Sequence, residues 1–213
     1  MELVILGPQG AGKGTQSLRL IEKYDIPDIA TGDIFRAAMR DPDNELGAKV
    51  REYVDSGRLV PDELVIRIVL DRLAEDDARD GFLLDGFPRS RGQAEALDDF
   101  LAKQDRPLDG AIVVEVPEEV SLRRILGRRV CSQCGRSYSI AMPPKSNWTC
   151  DVCEGEVIGR MDDQEEATVR ERLRNYRETT VPLMKYYEEH GVLVQIDGTK
   201  TPDEVFSDIV SAL

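Results

Sequence analysis

The stretch Gly7-Pro-Gln-Gly-Ala-Gly-Lys-Gly-Thr15 constrains this chain more than any other. It follows the apolar run Leu3–Leu6 and opens a helical pattern, the setting in which a glycine-rich loop closes around phosphate. The glycines let backbone N–H groups approach phosphate oxygens. Lys13 adds a point charge toward the β and γ phosphates, and the following helix aims the positive end of its dipole at the same place. Gly14 stands where the general motif carries Ser or Thr, and the hydroxyl arrives one position later, at Thr15. A strand, loop and helix of this kind bind a nucleotide, but do not by themselves separate a hydrolase, a switch and a kinase.

Apolar runs at Leu3–Leu6, Ile26–Ala30, Phe82–Leu84, Ala111–Val116 and Val192–Ile196 alternate with helical periodicities. That alternation predicts a mainly parallel sheet of fully buried strands, covered on both faces. Pro61-Asp62-Glu63 and Pro117-Glu118-Glu119 put proline and acids where a first helical turn favours them. Residues 164–189 read as one long helix that Pro182 kinks or interrupts and Gly191 ends, which makes His190 a helix-terminus residue rather than a base. Asp85, closing the run Phe82-Leu-Leu, stands where open α/β sheets meet Mg²⁺ and phosphate. Two segments fit the sheet poorly, a helical one from Thr31 to Val60 and one from Gly127 to Gln164 that holds all the cysteines. Both are expected to be mobile insertions on a rigid core.

The cysteines fall as Cys131-x₂-Cys134-x₁₅-Cys150-x₂-Cys153, the spacing of a four-thiolate tetrahedral zinc site. With four protein ligands such a site has no open position for substrate, so its expected role is to fold a small unit with little core of its own. Iron fits four thiolates as well, and a disulfide-linked pair or a nucleic-acid-binding zinc ribbon are the competing readings. The net charge of −13 weighs against the ribbon, because nucleic-acid binders need basic surface. The acidic surface serves solubility or tolerance of high salt. No apolar run approaches the roughly 20 residues of a membrane span, and Met1 leads straight into a strand-like run rather than a signal peptide. A cytoplasmic location is therefore expected, which also disfavours disulfides.

Taken together, GPQGAGKGT, TGDIFR at 31–36, RLVPDE at 58–63, DGFPRS at 85–90, GRRVCSQCG at 127–135 and MDDQEEATVRERL at 161–173 resemble the long-lid adenylate kinases along essentially the whole chain. The resemblance implies an α/β fold, a P-loop doubly wound parallel five-stranded sheet with a helical AMP-binding insertion and a small zinc-bound lid. The core would comprise 1–30, 61–126 and 165–213, the insertion 31–60 and the lid 127–164. Thr31, Arg36, Arg58, Leu59, Val60, Gly86, Phe87, Pro88, Arg89 and Gln93 are implied to surround AMP, with Gln93 reading the adenine edge. Gly10, Ala11, Gly12, Lys13, Gly14, Thr15, Arg124, Arg128, Ser137, Tyr138 and Lys200 are implied to surround ATP. Arg160 and Arg172 would reach the transferring phosphates from the lid and contact AMP, with Arg170 as the alternative to Arg172.

In this reading Lys13, Arg36, Arg89, Arg128, Arg160 and Arg172 enclose the transferring group, and Asp85 helps to hold Mg²⁺. That agrees with the demands of phosphoryl transfer, which needs in-line positioning and cations rather than covalent chemistry. Asp162-Asp163 read as helix N-terminal acids or, from the resemblance, as residues that help the lid to close. The partners implied are ATP, AMP and ADP, bound by a monomer, with Mg²⁺ and a structural Zn²⁺. Another monophosphate kinase, for UMP or CMP, and a nucleotide-controlled zinc-module binding protein are the alternatives.

Overall fold

The coordinates are a computed structural model that describes residues 1–40, 45–55, 60–160, 163 and 165–213. Arg58, Leu59 and Asp162, all named above, lie outside the described residues.

β1 (Glu2–Leu6) sends Leu3 and Ile5 to one face of a sheet and Val4 and Leu6 to the other, and all five of its residues are buried. Around it a five-stranded sheet runs in the order β2-β3-β1-β4-β8, with every pairing parallel. Its other members are β2 (Asp28–Ala30), β3 (Phe82–Asp85), β4 (Gly110–Glu115) and β8 (Leu193–Asp197).

Val4, Leu6, Leu84 and Val113 pack against α4 (Asp62–Leu73), α5 (Arg91–Ala102) and α8 (Pro182–Glu189) through Val69, Leu73, Leu97, Leu101, Leu183 and Tyr187. Leu3, Ile5, Leu83, Ile112 and Val114 pack against α1 (Lys13–Tyr24) and α9 (Pro202–Ala212) through Leu20, Val205 and Ile209. Each such side chain contributes roughly 1.5–3 kcal/mol relative to exposure, so the two apolar layers fix the register. In that register Ile5 lies between Asp85 and Ile112. The loop that leaves β1 is thereby level with the acidic end of β3.

Not every strand is fully buried, as the apolar runs had suggested. β8 is half-exposed because it is the edge of the sheet, and β2 begins only at Asp28, after Pro27, with one of its three residues buried. The long C-terminal helical stretch is interrupted as expected. α7 (Glu166–Asn175) passes into a π turn over Tyr176–Thr180, and α8 restarts at Pro182, which has no N–H to give to the preceding turn. His190 caps α8 at its C-terminus, its Nδ1 2.7 Å from the Tyr186 carbonyl oxygen.

Between β2 and α4 lie α2 (Thr31–Arg40) and α3 (Glu45–Asp55). After α6 (Glu118–Leu126) the chain forms a separate antiparallel sheet of order β6-β5-β7, from β5 (Arg128–Cys131), β6 (Ser137–Ser139) and β7 (Val157–Gly159). These strands were not expected from the sequence. Their small core is Cys131, Cys150 and Val157 with Tyr138 and Cys153 against it. Ile125 on α6 meets Val169 and Leu173 on α7, so the helices flanking this sheet pack on each other. Among the described residues no helix is long and apolar enough to cross a membrane.

Candidate active site

Gly12 caps α1 in a left-handed conformation, and Lys13, the first residue of the helix, folds its ammonium back to donate to the carbonyls of Gly7 at 2.9 Å and Pro8 at 3.2 Å. The loop is pressed against α6. A Cβ on Gly10 would stand 2.8 Å from the Ser121 carbonyl oxygen, and φ there is +78°, so only glycine fits without strain. The fully buried Ser121 hydroxyl donates to the Gln9 carbonyl. Arg124, one turn further along α6, donates to Gly198 O at 2.9 Å and more weakly to Gly10 O and Ala11 O, each at 3.4 Å. Gly14 and Thr15 are exposed in the first turn of α1, beside the half-buried Gly12 and the buried Ala11.

Asp85 ends β3 opposite this loop. Burial pushes the Lys13 ammonium below its ordinary pKa, the Asp85 carboxylate pulls it back up, and Arg89 and Arg128 push it down. Arg89 is lowered in the same sense, first by burial, with Asp85 opposing and Arg172 adding to the fall. Arg89 is nevertheless open to water at the mouth of the cleft, which screens these effects. Lys13 and Arg89 are therefore neighbours beside Asp85, with Arg128 close to Lys13 and Arg172 close to Arg89. Cations held so close favour an anionic ligand with more than one charge.

Arg128 and Arg172 meet on Asp163, which is almost fully buried. Arg128 donates from Nε at 2.6 Å and from Nη2 at 2.9 Å, and Arg172 Nη1 lies 3.6 Å away. Arg160 directly follows β7 and accepts the Asp163 N–H on its carbonyl at 3.0 Å. Arg170, by contrast, pairs with Glu166 at 2.7 Å and Glu118 at 3.5 Å, away from this group.

On the opposite side Thr31, buried at the start of α2, donates to Asp85 O at 3.4 Å and sits beside Gly86. A Cβ on Gly86, at φ +85°, would come within 2.8 Å of the Thr31 hydroxyl. Arg36 is exposed on α2 and pairs with Asp33 at 2.5 Å. Arg89 Nε donates to Gly86 O at 2.7 Å. Phe87 and Pro88 are buried, Phe87 completely, so its ring belongs to the core and only its backbone is available to a ligand. Val60 also packs on that core.

Gln93, on the first turn of α5, is held at both ends. Its oxygen accepts the Arg89 N–H at 2.7 Å and its NH₂ donates to Asp62 at 2.7 Å, while Asp62 also takes the Ser90 hydroxyl. In the sequence Asp62 reads only as a helix N-terminal acid, because the residues it contacts are remote along the chain, and Ser121 leaves no pattern because it is a buried serine. Lys200 lies outside the cationic group, 2.6 Å from Asp208, and Ser137 is exposed on β6.

The four cysteine sulfurs lie within 4.8 Å of one another, with Cys131–Cys153 at 3.4 Å and Cys134–Cys150 at 3.6 Å. Those distances exceed the roughly 2.05 Å of a disulfide and match the edge of a tetrahedron with bonds of about 2.3 Å, roughly 3.8 Å. The four residues thus fit a thiolate-bound metal. The Tyr138 hydrogen bond is the chief cause that brings the Cys150 thiol down to about 6.

A model of the adenylate kinase family matches residues 5–192. An adenylate kinase of Clostridium botulinum (strain 657 / Type Ba4) is 51% identical over 214 aligned positions, covering 100% of this chain and 98% of the relative. Those of Clostridioides difficile (strain 630) and Caldanaerobacter subterraneus subsp. tengcongensis are 47% and 51% identical over the whole of this chain, covering 98% and 96% of their own lengths. With its phosphate loop, facing arginines and four-cysteine sheet in the same continuous match, this chain belongs to the adenylate kinase family.

Proposed function

We infer that this chain catalyses reversible phosphoryl transfer from ATP to AMP, giving two molecules of ADP. The observation that carries the reading is geometric: Arg128 and Arg172, from β5 and α7, converge on one carboxylate, while Lys13 and Arg89 stand beside Asp85, so cations from separate elements can face two phosphate groups at once. ATP lies on Gly10 to Thr15 with Lys13 at its β and γ phosphates. AMP lies between Thr31, Arg36, Gly86, Arg89 and Gln93. An oxygen of the AMP phosphate attacks Pγ, the bond from Pγ to the bridging oxygen of the β phosphate breaks, and its electrons stay on the departing ADP. The arginines hold the two phosphates in line and neutralise the equatorial oxygens, each contributing up to about 10³- to 10⁵-fold in rate.

Asp85 fits the Mg²⁺ that accompanies ATP, since it ends β3 level with the start of the phosphate loop and shares its negative field with Asp28. Mg²⁺ held there would offset the negative charge of the phosphates. The four cysteines hold one Zn²⁺, which folds the segment 127–164 as a lid over ATP, while 31–60 closes over AMP on the core of 1–30, 61–126 and 165–213. Closure excludes water, the competing acceptor. The chain works as a cytoplasmic monomer.

A coupled assay of ATP with AMP, UMP, CMP and GMP tests this. Turnover with AMP far above the others is expected. Turnover with UMP or CMP alone would reassign the acceptor, and none with any acceptor would leave a nucleotide-controlled binding protein. Elemental analysis should find one zinc per chain, and iron would declare itself by visible absorption.

A further inference from the structure

The resemblance places Tyr138 beside ATP, but its hydroxyl is committed elsewhere. It donates to Cys150 Sγ at 3.4 Å and accepts the Asp151 backbone N–H at 2.8 Å. Both bonds land on the second Cys-x-x-Cys turn, whereas Tyr138 itself stands on β6, just beyond the first. Each turn is closed by its own backbone bonds, Gly135 N to Cys131 O at 3.0 Å in the first and Glu154 N to Cys150 O at 3.0 Å in the second. Backbone joins the two turns at one edge, where Ser132 N donates to Glu156 O at 2.8 Å, and the phenol adds a side-chain tie that ends on the Cys150 sulfur itself. Its ring packs in the same small cluster as Cys131, Cys150 and Val157, with the Arg136 guanidinium carbon 6.0 Å from the ring centroid.

We infer that Tyr138 is a positioning residue of the metal centre: its hydroxyl fixes the Cys150 sulfur and disperses its charge, so that retention of the metal depends on this one hydrogen bond. The inference rests on the reading that the four cysteines hold zinc. Four thiolates around Zn²⁺ carry a net charge of −2, and a donor to one of them offsets part of the mutual repulsion. Outer partners of this kind are worth about 10- to 100-fold in metal affinity. The position also has a consequence for the nucleotide cleft. Tyr138 pairs with Arg129 and the adjacent Ser139 with Arg128, so the residue that steadies the sulfur also pairs with the strand that carries Arg128. The metal centre thus sets the strand that presents the arginine.

Tyr138→Phe keeps the ring and removes the hydroxyl. Zinc content and competition for zinc by a chromophoric chelator would be measured on the full-length wild type and variant, and both would be reconstituted with Co²⁺ for absorption spectra. We expect one zinc per wild-type chain, about 10- to 100-fold weaker zinc binding in Tyr138→Phe, and a sulfur-to-cobalt charge-transfer band at lower energy, because a sulfur that loses a donor is easier to oxidise. Wild type that binds no zinc would overturn the metal reading itself. Wild type and variant with equal zinc affinity and an unmoved band would overturn the role of Tyr138 alone. Should the variant fail to fold its lid, wild type carrying fluorotyrosine, a stronger donor, must shift the band to higher energy, and an unmoved band there has the same meaning.

Discussion

Asp163 holds Arg128 in a two-point grip, 2.6 Å to Nε and 2.9 Å to Nη2, and Arg172 approaches the same carboxylate at 3.6 Å. A planar carboxylate facing a guanidinium fork has the geometry of a phosphate edge, so in the proposed reaction Asp163 would keep the two arginines together and aimed before phosphate binds. Asp163→Asn keeps the shape and removes the charge. One arginine is then left partly buried without its counter-ion, and its aim loosens. We expect kcat to fall about 10- to 100-fold with smaller changes in both KM values, since an ångström of misplacement costs on that order. A coupled assay checks this, and an effect confined to KM for ATP would show that the residue serves binding alone.

Asp62 holds Gln93, the residue proposed to read AMP. It takes the Gln93 amide at 2.7 Å, and Arg89 N–H fixes the opposite end of the same side chain. Gln93 is thus presented in one orientation before any base arrives. Asp62→Ala releases one end at a cost of about one hydrogen bond, 0.5–1.5 kcal/mol, some of which appears as a less ordered adenine site. KM for AMP should rise by up to about tenfold with KM for ATP unchanged. Equal rises in both would indicate a general loss of structure.

The difference between these residues and the phosphate loop shows what sequence carries. Gly7 to Thr15 and Phe82 to Asp85 are legible because their chemistry lies in consecutive residues and their strands are apolar and buried. The sheet that presents Arg128 is not legible, because its strands read RRVC, SYS and VIG and hold together on a cysteine cluster rather than an apolar face. Asp62 and Gln93 are 31 residues apart, and no local pattern links them. Arg170 and Arg172 could have been separated on a helical wheel: two residues apart they stand about 160° from each other, on opposite flanks of the stripe formed by Val169 and Leu173. The edge strands were overread because an apolar run does not announce its place in the sheet.

Lys13 is a case where function and stability pull apart. Its ammonium is desolvated and stands in the field of Arg89 and Arg128, and its bonds to Gly7 O and Pro8 O only partly compensate. Lys13→Met keeps much of the side-chain bulk and removes the charge. The expected outcome is a fall in kcat of about 10²- to 10³-fold, with the melting temperature of the nucleotide-free protein unchanged or raised. Calorimetry beside the coupled assay decides, and a drop of more than about 5 °C would mean that the lysine is chiefly structural.

Asp28 offers the pH test. It lies two residues before Ala30 on β2, and Ala30 pairs with Asp85, so both acids project from the same face of the sheet. Burial, then repulsion by Asp85 and Asp33, raise its pKa to about 6. A carboxyl raised in the folded state binds its proton more tightly there than in the unfolded chain. Stability is therefore lost as pH rises from about 4 to about 6, and the whole penalty stands at pH 8. Because the residue as a whole is exposed, solvent screening reduces that penalty to about 1 kcal/mol. Asp28→Asn should raise the melting temperature by about 2–4 °C at pH 8, less at pH 6 and not at all near pH 4. Melting curves of both proteins across that range measure the difference, and a gain that persisted at pH 4 would place its origin in something other than the charge.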